Sequence, residues 1–146
     1  MAEAGFSTGC LYKSGMPIGE RINFFSSIDA DAIELSFASP KELNEFILLP
    51  RLAKDLSKFS YISVHAPWYG VNYDSGPDAK RVVNKLSEIS RAIPVRGIVI
   101  HPDTIEDFHE LDDSGLLFLI ENMDINKKSG RFPENFEQLK KEQKYN

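Results

Sequence analysis

The chain has 146 residues, 42% hydrophobic and 27% charged, with 17 basic against 22 acidic side chains and a formal net charge of −5. These are globular values that exclude wholesale disorder, and the acidic balance gives no long-range attraction to nucleic acid or an anionic membrane. One cysteine (Cys10), no basic-then-apolar leader in "MAEAGFSTGC" and no apolar run near the roughly 20 residues of a membrane span lead us to expect a cytoplasmic protein, one domain over 1–146, without a membrane partner.

The first element, "GFSTGCLY", is a weakly patterned strand that ends around Cys10, read as a structural residue. "IGERINFFSSIDA" then sets Ile18, Ile22, Phe25 and Ile28 at helical spacing. "AIELSF" is the second strand. "SPKELNEFILLPRLAKDLSKF" is helical but broken near Pro50, which lacks a donor and clashes with the preceding turn. After the third strand, "YISVHAP", the segment "DAKRVVNKLSEISRAI" places Val82, Leu86, Ile89 and Ile93 on one helical face, with Pro77 and Asp78 suited to its first turn and Pro94 to its stop.

"GIVIHPD" is the fourth strand, and "TIEDFHELDDSG" a short helix capped by Asp103 or Thr104, with His109 solvated among acids. "LLFLIENMD" is the fifth strand. "KKSGR" (127–131) reads as a solvated loop, since Gly130 has no phosphate-loop pattern around it. "RFPENFEQLKKEQKYN" begins a last helix with Pro133 near its start and Phe136 and Leu139 inward. "DAKR" and "KKEQK" are ordinary helix surfaces. Strict alternation of strand and helix predicts an α/β fold with a parallel, helix-covered sheet and right-handed crossovers.

Side chains alternate across a strand, so the strands sort their own faces. Ile33 with Leu35, Ile62 with Val64, and Ile98 with Ile100 form the apolar sets, which leaves Glu34, His65 and His101 on the opposite face. In "LLFLIENMD" both sets are apolar: Glu121 goes with Leu117 and Leu119, Asn122 with Phe118 and Ile120. The polar residues stand at the C-terminal ends of their strands, where parallel α/β proteins build sites. Neighbouring strands lie about 4.8 Å apart, so His65, His101 and Glu121 can converge on one divalent ion, and two imidazoles with a carboxylate suit zinc or a similar metal. The alternative is core histidines with ordinary hydrogen bonds and a Glu121 paired to a basic side chain. A carboxylate behind five apolar residues needs one partner or the other.

At "SVHAP", "IVIHPD" and "LIENMD", with "DAIELSF" as a softer fourth piece, the chain resembles the xylose isomerase-like TIM barrels, the superfamily of sugar (phosphate) isomerases and epimerases and of AP endonuclease family 2 (the endonuclease-four type). The resemblance covers nearly the whole chain, in order. It implies a parallel (β/α) TIM-barrel type, incomplete, with about five of the eight βα units that typically occupy about 250 residues. It also implies metal ligation by His65, His101 and Glu121, a catalytic role for Glu121 and Glu34, and substrate contacts from Trp68, Glu34 and Asn122. The implied cofactor is a divalent metal (Zn, Mn or Mg).

The implied substrate is a small sugar or sugar phosphate, with abasic-site DNA as the alternative. "STGCLYKSG" and "IELSFASP" depart from the AP endonuclease pattern and, with the acidic charge, favour the sugar side. Metal ligands from later strands have no counterpart in this sequence. The expectation is therefore a truncated barrel, inactive as an isolated chain or closed by self-association or a complementing chain, with a self-contained smaller sheet and a non-catalytic fragment as the alternatives.

Overall fold

The computed structural model describes residues 4–107, 109–127 and 129–137. Five strands, β1 (Gly5–Ser7), β2 (Ala32–Ser36), β3 (Tyr61–His65), β4 (Val95–Ile100) and β5 (Phe118–Ile120), pair in parallel in their order along the chain. Between them run α1 (Ile18–Ser27), α2 (Pro40–Glu45), α3 (Pro50–Leu56), α4 (Pro77–Ala92) and α5 (His109–Asp112). Residues 133–137 are helical after β5. The expected alternation is what the chain adopts.

The ladder register fixes the two faces. Leu35, Val64, Ile98 and Phe118 lie in one row across four strands, and Ile33 pairs with Ile62. These side chains meet Ile22 and Phe25 of α1, Leu43 of α2, Leu56 of α3, and Val82, Leu86 and Ile89 of α4, all buried in one apolar layer. Each such side chain contributes about 1.5–3 kcal/mol by leaving water, which is why the apolar face chooses the helices. The opposite face carries Glu34, Ser63 and Gly97 in one row and Ser36, His65, Val99 and Leu119 in the next.

The break near Pro50 is real: α2 ends at Glu45 and α3 begins with Pro50 at its first position, where a missing N–H costs nothing. α2 starts with a capping arrangement. Ser39 Oγ accepts from Glu42 N, and Glu42 Oε2 accepts from Ala38 N at 2.7 Å. α4 also runs as expected from Pro77 and stops before Pro94.

Several local expectations are corrected. β1 is only three residues long, because the chain turns into a 3-10 helix at Thr8–Ser14; Cys10 is exposed on that helix and does not end a strand. Thr8 causes the turn-off: fully buried, its Oγ1 accepts the Ser36 N–H at 2.8 Å and takes over the ladder. Asp103 and Thr104 do not cap a helix. They belong to a 3-10 turn, Pro102–Thr104, in which Thr104 Oγ1 donates to His101 O at 2.7 Å, and α5 starts only at His109. Ile28 is the C-cap of α1 and 47% exposed, so it does not join the core. Leu139 and "KKEQK" lie outside the described residues, while Phe136 is half-buried.

Candidate metal centre

β3 ends in His65, His101 directly follows β4, and Glu121 directly follows β5, its N–H donating to Ile100 O at 3.0 Å and extending the ladder by one residue. Leu117 and Leu119 share Glu121's face and are 62% and 38% exposed, while Phe118 and Ile120 pack toward the helices. The ambiguity of the fifth strand is thereby settled: Glu121 faces the side of the sheet that carries His65.

Glu121 Oε2 stands 3.0 Å from His65 Nε2 and 3.1 Å from His101 Nε2. Ligand atoms from all three residues lie within 4.8 Å of one another, the arrangement of a possible metal site. A tetrahedral ion with bonds of about 2.1 Å spaces its ligands about 3.4 Å apart, a few tenths of an ångström more than either carboxylate–imidazole distance here. His65 is buried, and its Nδ1 lies 3.0 Å from Ala66 O. A carbonyl only accepts, so this hydrogen bond puts the proton on Nδ1 and leaves Nε2 of the neutral ring as a lone pair aimed at a carboxylate oxygen. Two acceptors facing at 3.0 Å require a cation or a proton between them. The carbonyl-anchored imidazole is also the usual support of a metal-bound histidine.

His101 carries the second observation. Among the described residues its Nδ1 is buried without a hydrogen bond, and Asp103 Oδ1 is 3.8 Å away. Burial, and then the neighbouring His65, hold the His101 imidazole below its usual range, against the pull of Glu121. Lys127 Nζ reaches Asp103 Oδ2 at 3.3 Å, so the loop after β5 ties back to the His101 turn. Part of "KKSGR" is thus engaged and not simply solvated. Gly130 makes that fold-back possible: its φ is +72°, and a Cβ there would lie 2.4 Å from Pro102 Cγ.

Trp68 covers the cluster. Its ring stacks on His101, with centroids 5.4 Å apart and planes at 21°, and meets His65 edge-on at 4.8 Å. Tyr73 fixes this loop: its buried hydroxyl donates to Pro67 O at 2.9 Å, and its backbone N–H donates to Thr104 O at 2.7 Å. Sequence reasoning missed Tyr73, Asp103 and Lys127. Asp103, two residues after His101 in "IVIHPD", was the one visible signal.

The remaining sequence candidates stand apart. Glu34 is on the same face but pairs in register with Ser63, two residues below the level of His65, and makes no hydrogen bond or ion pair among the described residues. Asn122 is exposed and likewise unbonded among the described residues. The structure unites His65, His101, Glu121 and Trp68, and leaves Glu34 and Asn122 outside that group.

No protein-family model and no curated protein matches the chain. Two solved structures do. One is a D-tagatose 3-epimerase-like protein, 20% identical with a TM-score of 0.58, matched over 92% of this chain and 58% of that one. The other is endonuclease IV from Thermus thermophilus, 16% identical with a TM-score of 0.51, matched over 83% of this chain and 51% of that one. The chain thus spans between half and three-fifths of the length of these structures. No described helix is long and apolar enough to cross a membrane. Five parallel strands in one open sheet with covering helices, similar to half or a little more of each of these two structures, give this chain an α/β fold of the TIM-barrel type.

Proposed function

We propose that the chain carries part of the site of a divalent-metal-dependent xylose isomerase-like barrel that isomerises or epimerises a sugar or sugar phosphate. The observation behind this reading is the pair of Nε2 atoms facing one Glu121 oxygen while the His65 proton is held on Nδ1. The donor set suits zinc, manganese or magnesium to different degrees, with imidazole favouring zinc. When bound, such an ion supplies Lewis-acid polarisation of a carbonyl or hydroxyl.

His65 and His101 would hold the ion as neutral rings and Glu121 as a carboxylate. The Ala66 carbonyl keeps His65 in the ligating tautomer, burial keeps His101 neutral, and Trp68 shields both rings from water on one side. Of the two carboxylates assigned to proton transfer, Glu121 is beside the imidazoles. Glu34, a strand away and lower on the sheet, is proposed as a substrate contact. The edge of β5, unpaired among the described residues and beside exposed Leu117 and Leu119, supports association with a second copy or a complementing chain. Five strands alone are expected to bind metal weakly and turn over little.

A second reading, zinc-dependent cleavage of abasic DNA, draws on the likeness to endonuclease IV and on Trp68 beside the triad. The net charge of −5 counts against it. Zinc- or manganese-loaded protein assayed on ketohexoses, their phosphates and an abasic-site duplex separates the readings. At most slow interconversion of sugars without strand cleavage is expected of the chain alone; cleavage would reverse the order of the two. Neither activity, with metal bound, would favour a non-catalytic barrel piece.

A further inference from the structure

Beside the triad lies a cavity of about 640 Å³, within the range that holds a small ligand, between the Thr8–Ser14 turn, α1, the loop after β2 and the loop after β3. Trp68 is its shared wall, since it also stacks on His101. Ser36, another lining residue, pairs in register with His65, one strand spacing away.

The wall chemistry is mixed in a particular way. Arg21 is half-buried and held in place, its Nε–H donating to Met16 O at 2.6 Å and an Nη1–H to Thr8 O at 3.3 Å, which leaves further guanidinium donors unused. Glu42 spends one oxygen on Ala38 N and keeps the other. Arg21 and Glu42 both line the cavity without pairing with each other. The Ser36 and Tyr12 hydroxyls and the Trp68 indole N–H make no hydrogen bond among the described residues. Gly9 leaves room at this spot, because a Cβ there would meet Ser36 Oγ at 3.0 Å.

A free phosphate would meet one cation and one carboxylate here, a poor match. A neutral polyol fits better: each hydroxyl both donates and accepts, so it can bridge Arg21 and Glu42, while its C–H faces lie on aromatic planes. We propose that this cavity binds the hydroxyl-bearing tail of a neutral, monosaccharide-sized polyol, with Arg21, Glu42 and Ser36 as hydrogen-bonding partners and Trp68 and Tyr12 as apolar walls. The inference rests on the sugar reading above and specifies the part of the substrate that lies away from the triad.

The chain has a single tryptophan, so Trp68 gives one indole N–H signal in a nitrogen–proton NMR spectrum. D-fructose titrated into zinc-loaded chain is expected to move that signal saturably in the millimolar range. Y12A and E42Q are each expected to weaken the response by about fivefold, the loss of one contact. Both variants should fold: Tyr12 is exposed, and a glutamine at 42 keeps an oxygen for Ala38 N. Both should also bind zinc as the parent does. An indole signal unmoved by about 100 mM fructose, an equal response in parent and both variants, or saturation by inorganic phosphate at lower concentration than by fructose overturns the proposal. Zinc binding without a fructose response removes this inference and leaves the metal centre standing; fructose binding without zinc binding does the reverse.

Discussion

Nε2 of His65 faces Oε2 of Glu121 at 3.0 Å while its other ring nitrogen donates to a backbone carbonyl. The pair as built opposes two acceptors. Substituting E121Q should therefore leave the metal-free fold within about 1 kcal/mol of the parent or make it more stable, since the amide offers a donor to His65. The same change should lower zinc affinity by at least about tenfold, judged against what supporting residues of metal sites contribute. Thermal unfolding with and without zinc reads both effects. A large loss of metal-free stability would mean Glu121 is a structural partner of the histidines.

Protons and metal compete for the same ring nitrogens, so metal affinity should fall on acidification. Burial beside His65 keeps the His101 ring below its usual range, hence neutral and ready to ligate at about pH 7. Zinc affinity measured at about pH 7.5 and about pH 5.5 should drop by about tenfold across that interval, less than one proton per ligand imidazole would give, because burial holds His101 below the usual imidazole range. A pH-independent affinity would place the ion on carboxylates elsewhere.

Tyr73 joins the loop carrying Trp68 to the turn that follows His101. Y73F leaves Pro67 O without its donor and should cost about 1–2 kcal/mol in urea unfolding. Burial raises the phenol above its usual range, so the folded state holds its proton after the unfolded chain has lost it. The parent should therefore lose stability as pH rises past about 10, and Y73F should lose less. Equal alkaline slopes in both would show that the hydroxyl is not protected.

Gly130 combines a left-handed backbone with close approach to Pro102. G130A should destabilise the chain by more than about 1 kcal/mol. Because the displaced loop includes Lys127, which reaches Asp103 next to His101, zinc affinity should fall as well. An unchanged affinity would separate this loop from the site.

The alternation of strand and helix, the helix break at Pro50 and the shared face of His65 and His101 were legible because each follows from local pattern. Proline chemistry is local, and alternation along β3 and β4 places Ile62 and Val64 opposite His65 without any tertiary information. Two kinds of feature were not legible. The early end of β1 depends on Thr8, whose hydroxyl replaces a ladder partner 28 positions away, and no local signal marks a threonine for that task. The face of Glu121 depended on its neighbours, because Leu117 and Leu119 are as apolar as Phe118 and Ile120; only pairing with β4 decides it. Glu34 shows the converse limit. Alternation put it on the right face, and only register reveals that it stands opposite Ser63, away from the histidines.

The central claim is that His65, His101 and Glu121 hold one divalent ion. Cobalt(II) titration, followed by visible absorption, tests it with a readout independent of turnover. A single class of site is predicted, near one equivalent, with a low-coordinate cobalt spectrum in the parent that H65A, H101A and E121Q each abolish and Y12A preserves. A parent without a cobalt spectrum, or three ligand variants that bind cobalt as the parent does, would contradict it.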